Sequence, residues 1–153
     1  MLDLLARSFD VDEGAFWTDA AYQKLVPSLV SLLDSSVTSS ASLDSEDTPA
    51  EHLAACLAAL AAATTTEQTL KSLNTAICLS TRSDVVSARL ASLKALEAVW
   101  GRHAEELVPY VQETVGEFLS ELVEDENGDV EVLARRVVKG IEANVGTVGE
   151  FLE

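Results

Sequence analysis

Apolar residues recur every three or four positions through most of the chain, which is the spacing of amphipathic helices. No segment alternates apolar and polar residues over several positions, as a half-buried strand does. The spacing predicts helices over residues 2–9, 18–34, 49–63, 67–79, 84–102, 104–124 and 129–144. Pro27 falls inside the second helix, where we expect a kink or a break. The fold class is therefore predicted to be all-α, with a single domain over residues 1–153.

Residues 35–48 interrupt the helical pattern with six serines and three acids. Because small polar residues favour irregular structure, we expect a mobile surface loop here. Its serines could be kinase targets, although a solvated connector is the simpler interpretation. Thr48 and Pro49 then predict a helix start, with a capping hydroxyl, a proline at the first helical position and Glu51 placed for a capping box.

The second half of the chain repeats itself at an interval of 45 residues. The Asp-Val pair at 84–85 recurs at 129–130, and the glycine at 101 recurs at 146. An interval near 45 residues, with two helices in each unit, is typical of HEAT and armadillo repeats. We therefore predict HEAT-like antiparallel helical pairs, best defined over residues 84–153, with a plain helical bundle as the alternative.

Charge is strongly unbalanced, with 10 Lys and Arg against 26 Asp and Glu, a formal net charge of −16. This balance disfavours direct contact with RNA or with anionic membranes, which bind through clustered basic residues. Ten acids and no Lys or Arg lie between residues 105 and 131. The acids that share one face of the predicted helix 104–124, called the acidic face below, are Glu113, Glu117, Glu121 and Glu124.

The acidic face has two interpretations. It is either a docking site for a basic protein partner or a solvated face that basic residues of the last helix compensate. The residues that could compensate it are Arg135, Arg136 and Lys139. Elsewhere we expect structural ion pairs. Arg89 should pair with an acid at a neighbouring turn, either Asp84 or Asp129, and Arg135 is the second candidate cation.

The residues point to no catalytic chemistry. No nucleophile, phosphate-binding or metalloprotease motif is present, so we expect no enzyme, no cofactor and no metal. Cys56 and Cys78 are predicted to be buried thiols, because a zinc site built on His52 and Cys56 would need carboxylates to complete it. The first residues lack the basic and apolar regions of a secretory signal. The longest nearly apolar run, 53–63, is too short to span a membrane.

Several short stretches resemble the signature of a known family. The first group is Leu70-Lys71-Ser72-Leu73-Asn74, Thr81-Arg82-Ser83, and Val86 followed by Arg89. The second group is Leu107-Val108-Pro109, the stretch from Phe118 to Glu126, Val130-Glu131, and the closing Gly146 and Phe151. Together they resemble the C-terminal domain of the large HEAT-repeat proteins associated with U-three small nucleolar RNA. These proteins are subunits of the t-UTP (UTP-A) subcomplex of the small-subunit processome.

The resemblance implies a function. It points to a non-catalytic protein–protein interaction scaffold in ribosome biogenesis, located in the nucleus and nucleolus and linked to pre-ribosomal RNA transcription and 18S maturation. Other t-UTP proteins would be the partners, and the chain would be part of a larger HEAT-repeat chain. It carries over no catalytic residue. The alternative is a generic helical-repeat adaptor or a ligand-binding bundle, in which the alanine-rich helix 49–63 lines a cavity.

Overall fold

The computed structural model describes residues 1–12 and 14–151. Within these ranges it contains seven α-helices and no strand, which confirms the predicted all-α class. The helices are α1 (Leu2–Val11), α2 (Asp19–Ser31), α3 (Pro49–Ala63), α4 (Glu67–Ser80), α5 (Val86–Leu107), α6 (Ser120–Leu122) and α7 (Gly128–Val145). A π-helix, Gln112–Leu119, precedes α6 and is called the π segment below.

The helices are arranged in two layers. In one layer α1, α3, α5 and α7 pack successively against one another, and in the other α2 packs on α4 and α4 on the π segment. Contacts between α4 and α5 join the two layers. Each helix therefore lies beside the next-but-one helix of the chain, which is the arrangement of stacked antiparallel helical pairs.

The core is centred on α3 and α5. Leu53, Leu57 and Leu60 of α3 are fully buried, and so are Leu93 and Leu96 of α5. Each buried leucine contributes about 1.5–3 kcal/mol relative to an exposed one. The alanines between the α3 leucines carry little volume, so α1 and α5 approach this helix closely from two sides.

Threonine and asparagine side chains mark several helix starts. α3 begins at Pro49 as predicted, and the Glu51 carboxylate accepts a hydrogen bond from the Thr48 backbone N–H at 3.0 Å. Thr18 caps α2 and Thr66 caps α4 through their hydroxyl oxygens. These residues satisfy N–H groups that the first turn of a helix leaves without a partner.

Two features of the first half differ from the prediction. Of the kink or break expected at Pro27, the break is absent, because α2 continues through this proline to Ser31. Within residues 35–48 the chain forms a short 3-10 turn, Ser36–Thr38, and Thr38 is fully buried with its hydroxyl donating to the Leu33 carbonyl at 2.8 Å. The mobility expected for the rest of this segment remains a prediction.

The predicted helix 104–124 is wrong as a single α-helix. α5 continues past Gly101 to Leu107, with a kink at His103 (φ −133°, ψ 28°), and a 3-10 turn, Val108–Tyr110, then leads to the π segment. Pro109 accounts for the interruption, because proline has no N–H to donate to the preceding turn. The apolar spacing of 3.6 residues continues across these changes, so it could not reveal them.

The two halves of the 45-residue repeat begin in different registers. Val85 is the residue that precedes α5, whereas its counterpart Val130 is the third residue of α7. Asn127 explains the earlier start of α7, since its side chain accepts hydrogen bonds from the N–H groups of residues 129 and 130. Gly146 follows α7 with φ +94°, a left-handed conformation that favours glycine.

Candidate protein-docking face

The four glutamates of the acidic face lie on or directly after the π segment and α6. Glu117, Glu121 and Glu124 are exposed, whereas Glu113 is half-buried. Hydrogen bonds in a π-helix run from residue i to residue i+5, so the α-helical spacing that placed the four on one face does not hold over residues 112–119.

Glu121 is held by a cation from the turn that follows α4. Its carboxylate accepts hydrogen bonds from Arg82 at 2.9 and 3.1 Å, and the guanidinium also donates to the Glu117 carbonyl at 3.2 Å. The same guanidinium lies 4.3 Å from the centroid of the Phe118 ring, a cation–π contact. The hydrogen bond to Glu121 raises the pKa of Arg82, so this cation stays charged. Arg82 therefore fastens the turn after α4 to the π segment.

The predicted compensation of the acidic face by the last helix is wrong for both arginines. Arg135 pairs with Glu131 on its own helix at 3.0 Å and donates to the Val123 carbonyl at 2.8 Å. Arg136 pairs with Glu97 of α5 at 2.7 Å. Both arginines join α7 to its neighbours, because their positions on α7 face α5 and the preceding turn.

Glu113 is the second glutamate with a structural contact. It accepts a hydrogen bond from the Thr75 hydroxyl at 3.0 Å, which links the π segment to α4. Among the described residues, Glu117 and Glu124 take part in no salt bridge. The part of the acidic face open to a partner is therefore narrower than the sequence predicts, and it is centred on Glu117 and Glu124.

The ion pair of Arg89 forms with a residue that the sequence did not single out. The guanidinium Nε lies 3.1 Å from Asp125 Oδ2, and each side chain is only 10% exposed. Arg89 also donates to the Ser83 carbonyl at 3.0 Å. The expected partners Asp84 and Asp129 are both exposed, and Asp129 lies in the first turn of α7. The turn after α6 thus presents Asp125 to α5, and the prediction that Arg89 pairs with either expected aspartate is wrong.

The sequence did not predict a buried series of hydrogen bonds that links α5 through α4 to the π segment. Trp100 Nε1–H donates to Asn74 Oδ1 at 3.0 Å, and Asn74 Nδ2 donates to Thr114 Oγ1 at 2.9 Å. The three residues are at most 2% exposed. The signal was available, since Asn74 occupies an inward position of α4 between Leu73 and Ile77, where an amide needs a buried partner.

Both cysteines are buried free thiols, as predicted. Burial raises the pKa of Cys56 to about 11 and that of Cys78 to about 12, so neither is a thiolate near neutral pH.

His52 lies between two carboxylates, with Nδ1 2.8 Å from Asp3 Oδ1 and Nε2 3.0 Å from Asp47 Oδ1. In the described ranges no group of three or more His, Cys, Asp or Glu is placed to hold a metal ion.

None of the helices described has the length and the apolar character needed to cross a membrane.

The groove that α3 lines has a volume of about 490 Å³. Its walls include charged side chains from three other parts of the chain: Glu46, Lys94, Glu97 and Arg136. The inward leucines of α3 face the core rather than this groove.

The two layers of packed helices in the described part of the chain have the architecture of a HEAT-like segment of an α-solenoid. Comparison with known proteins is consistent with this class. The chain is 30% identical over 146 residues to HEAT repeat-containing protein 1 of Danio rerio, and 29% identical over 154 residues to U3 small nucleolar RNA-associated protein 10 of Neurospora crassa. A HEAT repeat-containing protein 1 homolog of Dictyostelium discoideum is 27% identical over 146 residues.

These alignments cover 95%, 100% and 95% of the chain, respectively. The chain spans only 7%, 8% and 6% of the length of the same relatives. No family model and no solved structure matches it. Along nearly its whole length the chain is therefore similar to a short part of proteins named HEAT repeat-containing protein 1 and U3 small nucleolar RNA-associated protein 10, which confirms the resemblance found in the sequence.

Proposed function

We propose that the chain is a non-catalytic protein–protein interaction scaffold in ribosome biogenesis. It would act in the nucleolus, as part of a longer HEAT-repeat chain, in assembly of the small-subunit processome and in maturation of 18S ribosomal RNA. The single observation that carries the proposal is similarity along nearly the whole chain to relatives named for HEAT repeats and for U3 small nucleolar RNA. The two-layer arrangement of helices supports it, because stacked helical pairs offer extended surfaces for protein partners.

The test of this scaffold function is affinity capture of the tagged chain from nucleolar extract, with and without nuclease. A protein scaffold predicts that t-UTP proteins remain bound after nuclease treatment. Loss of all processome proteins on nuclease treatment would show contact through RNA. Their absence from both samples would show no contact. Either of these results contradicts the proposal.

We further propose that the exposed part of the acidic face docks a basic segment of a protein partner. Glu117 and Glu124 carry this proposal, because both are exposed and neither takes part in a salt bridge among the described residues. The matching partner would present Lys and Arg, which the acidic face lacks. Opposite charges across such a surface mainly raise the association rate, and this gain decreases as the salt concentration rises because salt screens the charges.

Charge reversal tests the docking face separately from the scaffold function. The variant Glu117→Lys with Glu124→Lys spares the contacts of Glu113 and Glu121 that hold the fold. The control reverses two exposed acids elsewhere, Asp10→Lys with Asp34→Lys, and changes the net charge by the same amount. We expect only the first variant to lose bound t-UTP proteins. Equal retention by both variants would show that the acidic face is merely solvated.

A further inference from the structure

Ser45 lies at the centre of a polar cluster that joins the segment before α3 to α5. Its hydroxyl oxygen is 3.1 Å from Lys94 Nζ and 3.0 Å from Glu51 Oε1. Lys94 also donates to the Ser45 carbonyl at 3.1 Å and forms a salt bridge with Glu51. The Lys94 side chain is only 7% exposed, so one buried cation is shared by a serine hydroxyl and a carboxylate.

The cluster opens onto the groove of about 490 Å³ that α3 lines. Ser45 is itself half-buried, and Arg136 of α7 lines the same groove. A phosphoryl group on the hydroxyl would therefore have space and one cation in contact, whereas Arg136 in the wall is paired with Glu97. Phosphoserine has acceptor oxygens that match such donors.

The residues beside Ser45 are acidic and accessible. Asp44, Glu46 and Asp47 are all exposed, and residues 45 and 46 have no helical structure. Enzymes that act on peptide segments discriminate among them partly by charge pattern, so this sequence suits a kinase with a basic substrate cleft. Ser39, in contrast, is an exposed serine of the same segment that has no acid within four residues on either side.

We propose that Ser45 is a phosphorylation site for an acid-directed protein kinase. The γ-phosphoryl group of ATP is transferred to the Ser45 hydroxyl oxygen. A new oxygen–phosphorus bond forms, the bond between the γ-phosphorus and the bridging oxygen of ADP breaks, and the hydroxyl proton is released. This site is independent of the acidic face and of the ribosomal role, since it depends only on contacts within the chain.

Phosphorylation would change how α3 begins. The phosphate brings a charge of about −1.5 to −2 next to Glu51 and removes the hydroxyl proton that Ser45 can donate. Burial alone raises the pKa of Glu51, but hydrogen bonds from Lys94 and Ser45 lower it overall, so this carboxylate is ionised at neutral pH. The two anions then compete for Lys94. As Glu51 moves away, the Thr48 N–H loses its acceptor and the first turn of α3 loosens.

Mass spectrometry tests the site directly. The purified chain is incubated with ATP and a recombinant acid-directed serine/threonine kinase, and the modified residue is identified by fragmentation. We expect close to one phosphate per chain, on Ser45. Ser45→Ala should abolish the incorporation and Ser39→Ala should leave it unchanged. Absence of phosphate, or phosphate on another residue of the wild-type chain, would overturn the proposal without relying on any variant.

Amide hydrogen exchange tests the consequence. In the phosphorylated chain, the amides of residues 48 and 50–52 should exchange at least about tenfold faster than in the unmodified chain, while those of α7 should not change. Lys94→Met should remove the difference between the two forms, because the cation for which the anions compete is absent. Unchanged exchange at residues 48 and 50–52 in a fully phosphorylated chain would refute the proposed effect on α3.

Discussion

Asn74 offers the most direct test of how the π segment is held against the core. Its side chain joins Trp100 on α5 to Thr114 on the π segment through hydrogen bonds of 3.0 and 2.9 Å. All three residues lie in the interior, at 1%, 2% and 0% exposure. Asn74→Leu preserves the approximate volume of the side chain and removes both hydrogen bonds, so it isolates their effect from the loss of packing.

The expected loss of stability follows from the groups left behind. The substitution leaves the Trp100 N–H without an acceptor and the Thr114 hydroxyl with only the weak thiol donor of Cys78, whose Sγ lies 3.9 Å away. Each buried group without a full hydrogen bond costs about 1–3 kcal/mol. Leucine recovers part of this through apolar burial. We therefore expect the free energy of unfolding to fall by about 2–4 kcal/mol. For a chain of this size, each kcal/mol lowers Tm by about 2–4 °C.

The assay is urea denaturation followed by circular dichroism, with a double-mutant cycle. Trp100→Phe removes the indole N–H and leaves Asn74 Oδ1 without its donor. The pair Asn74→Leu with Trp100→Phe therefore leaves two unsatisfied groups fewer than the single substitutions predict. The coupling should be about 1 kcal/mol or more. Thr75→Ala is the control on the same helix. Its hydroxyl bonds to a half-buried carboxylate, and its loss should cost less than about 1.5 kcal/mol.

Two results would refute this reasoning. The first is an Asn74→Leu chain as stable as the wild type, which would mean that the hydrogen bonds provide no net stabilisation. The second is additivity of the two substitutions within about 0.3 kcal/mol, which would mean that Asn74 and Trp100 do not interact energetically.

Three further substitutions test other parts of the structure. The hydrogen bond with Asp3 raises the pKa of His52 above 6.5. This contact therefore stabilises the fold fully below the pKa that His52 has in the unfolded chain, and the stabilisation is lost as the pH rises through the pKa of His52 in the folded chain. Urea titrations between about pH 6 and pH 9 should show this decline, and His52→Asn should remove it. Gly116→Val should cost about 1–3 kcal/mol in thermal unfolding, because an added Cβ already lies 3.2 Å from the Phe151 carbonyl oxygen. Gly140→Ala, in an open helix interior, should instead raise stability by about 0.5–1 kcal/mol.

Local chemistry made the start of α3 predictable. Thr48, Pro49 and Glu51 lie within four residues, and each acts on backbone groups next to it, so no knowledge of the remaining chain is needed. The all-α class was predictable for a similar reason, since the apolar spacing appears in every helix. The register of the two layers, in contrast, depends on how the apolar faces of the helices pack against one another.

Partners distant in sequence could not be predicted. Arg89 meets Asp125 across 36 residues, and several acids in neighbouring turns had equal claims before the turn geometry was known. The π segment was missed because its apolar residues remain inward at nearly the helical spacing. The acidic face has fewer free carboxylates than the sequence predicts, because Arg82 pairs with Glu121 from 39 residues earlier in the chain.

The central claim is that this chain serves small-subunit ribosome assembly, and the most direct measurement is of ribosomal RNA precursors. The coding sequence for residues 1–153 is deleted in cells, and ribosomal RNA precursors of both subunits are quantified by Northern hybridisation. We predict that precursors of 18S RNA accumulate, mature 18S RNA falls, and the large-subunit precursors are processed normally. Unchanged 18S maturation in cells that lack these residues would contradict the proposed function.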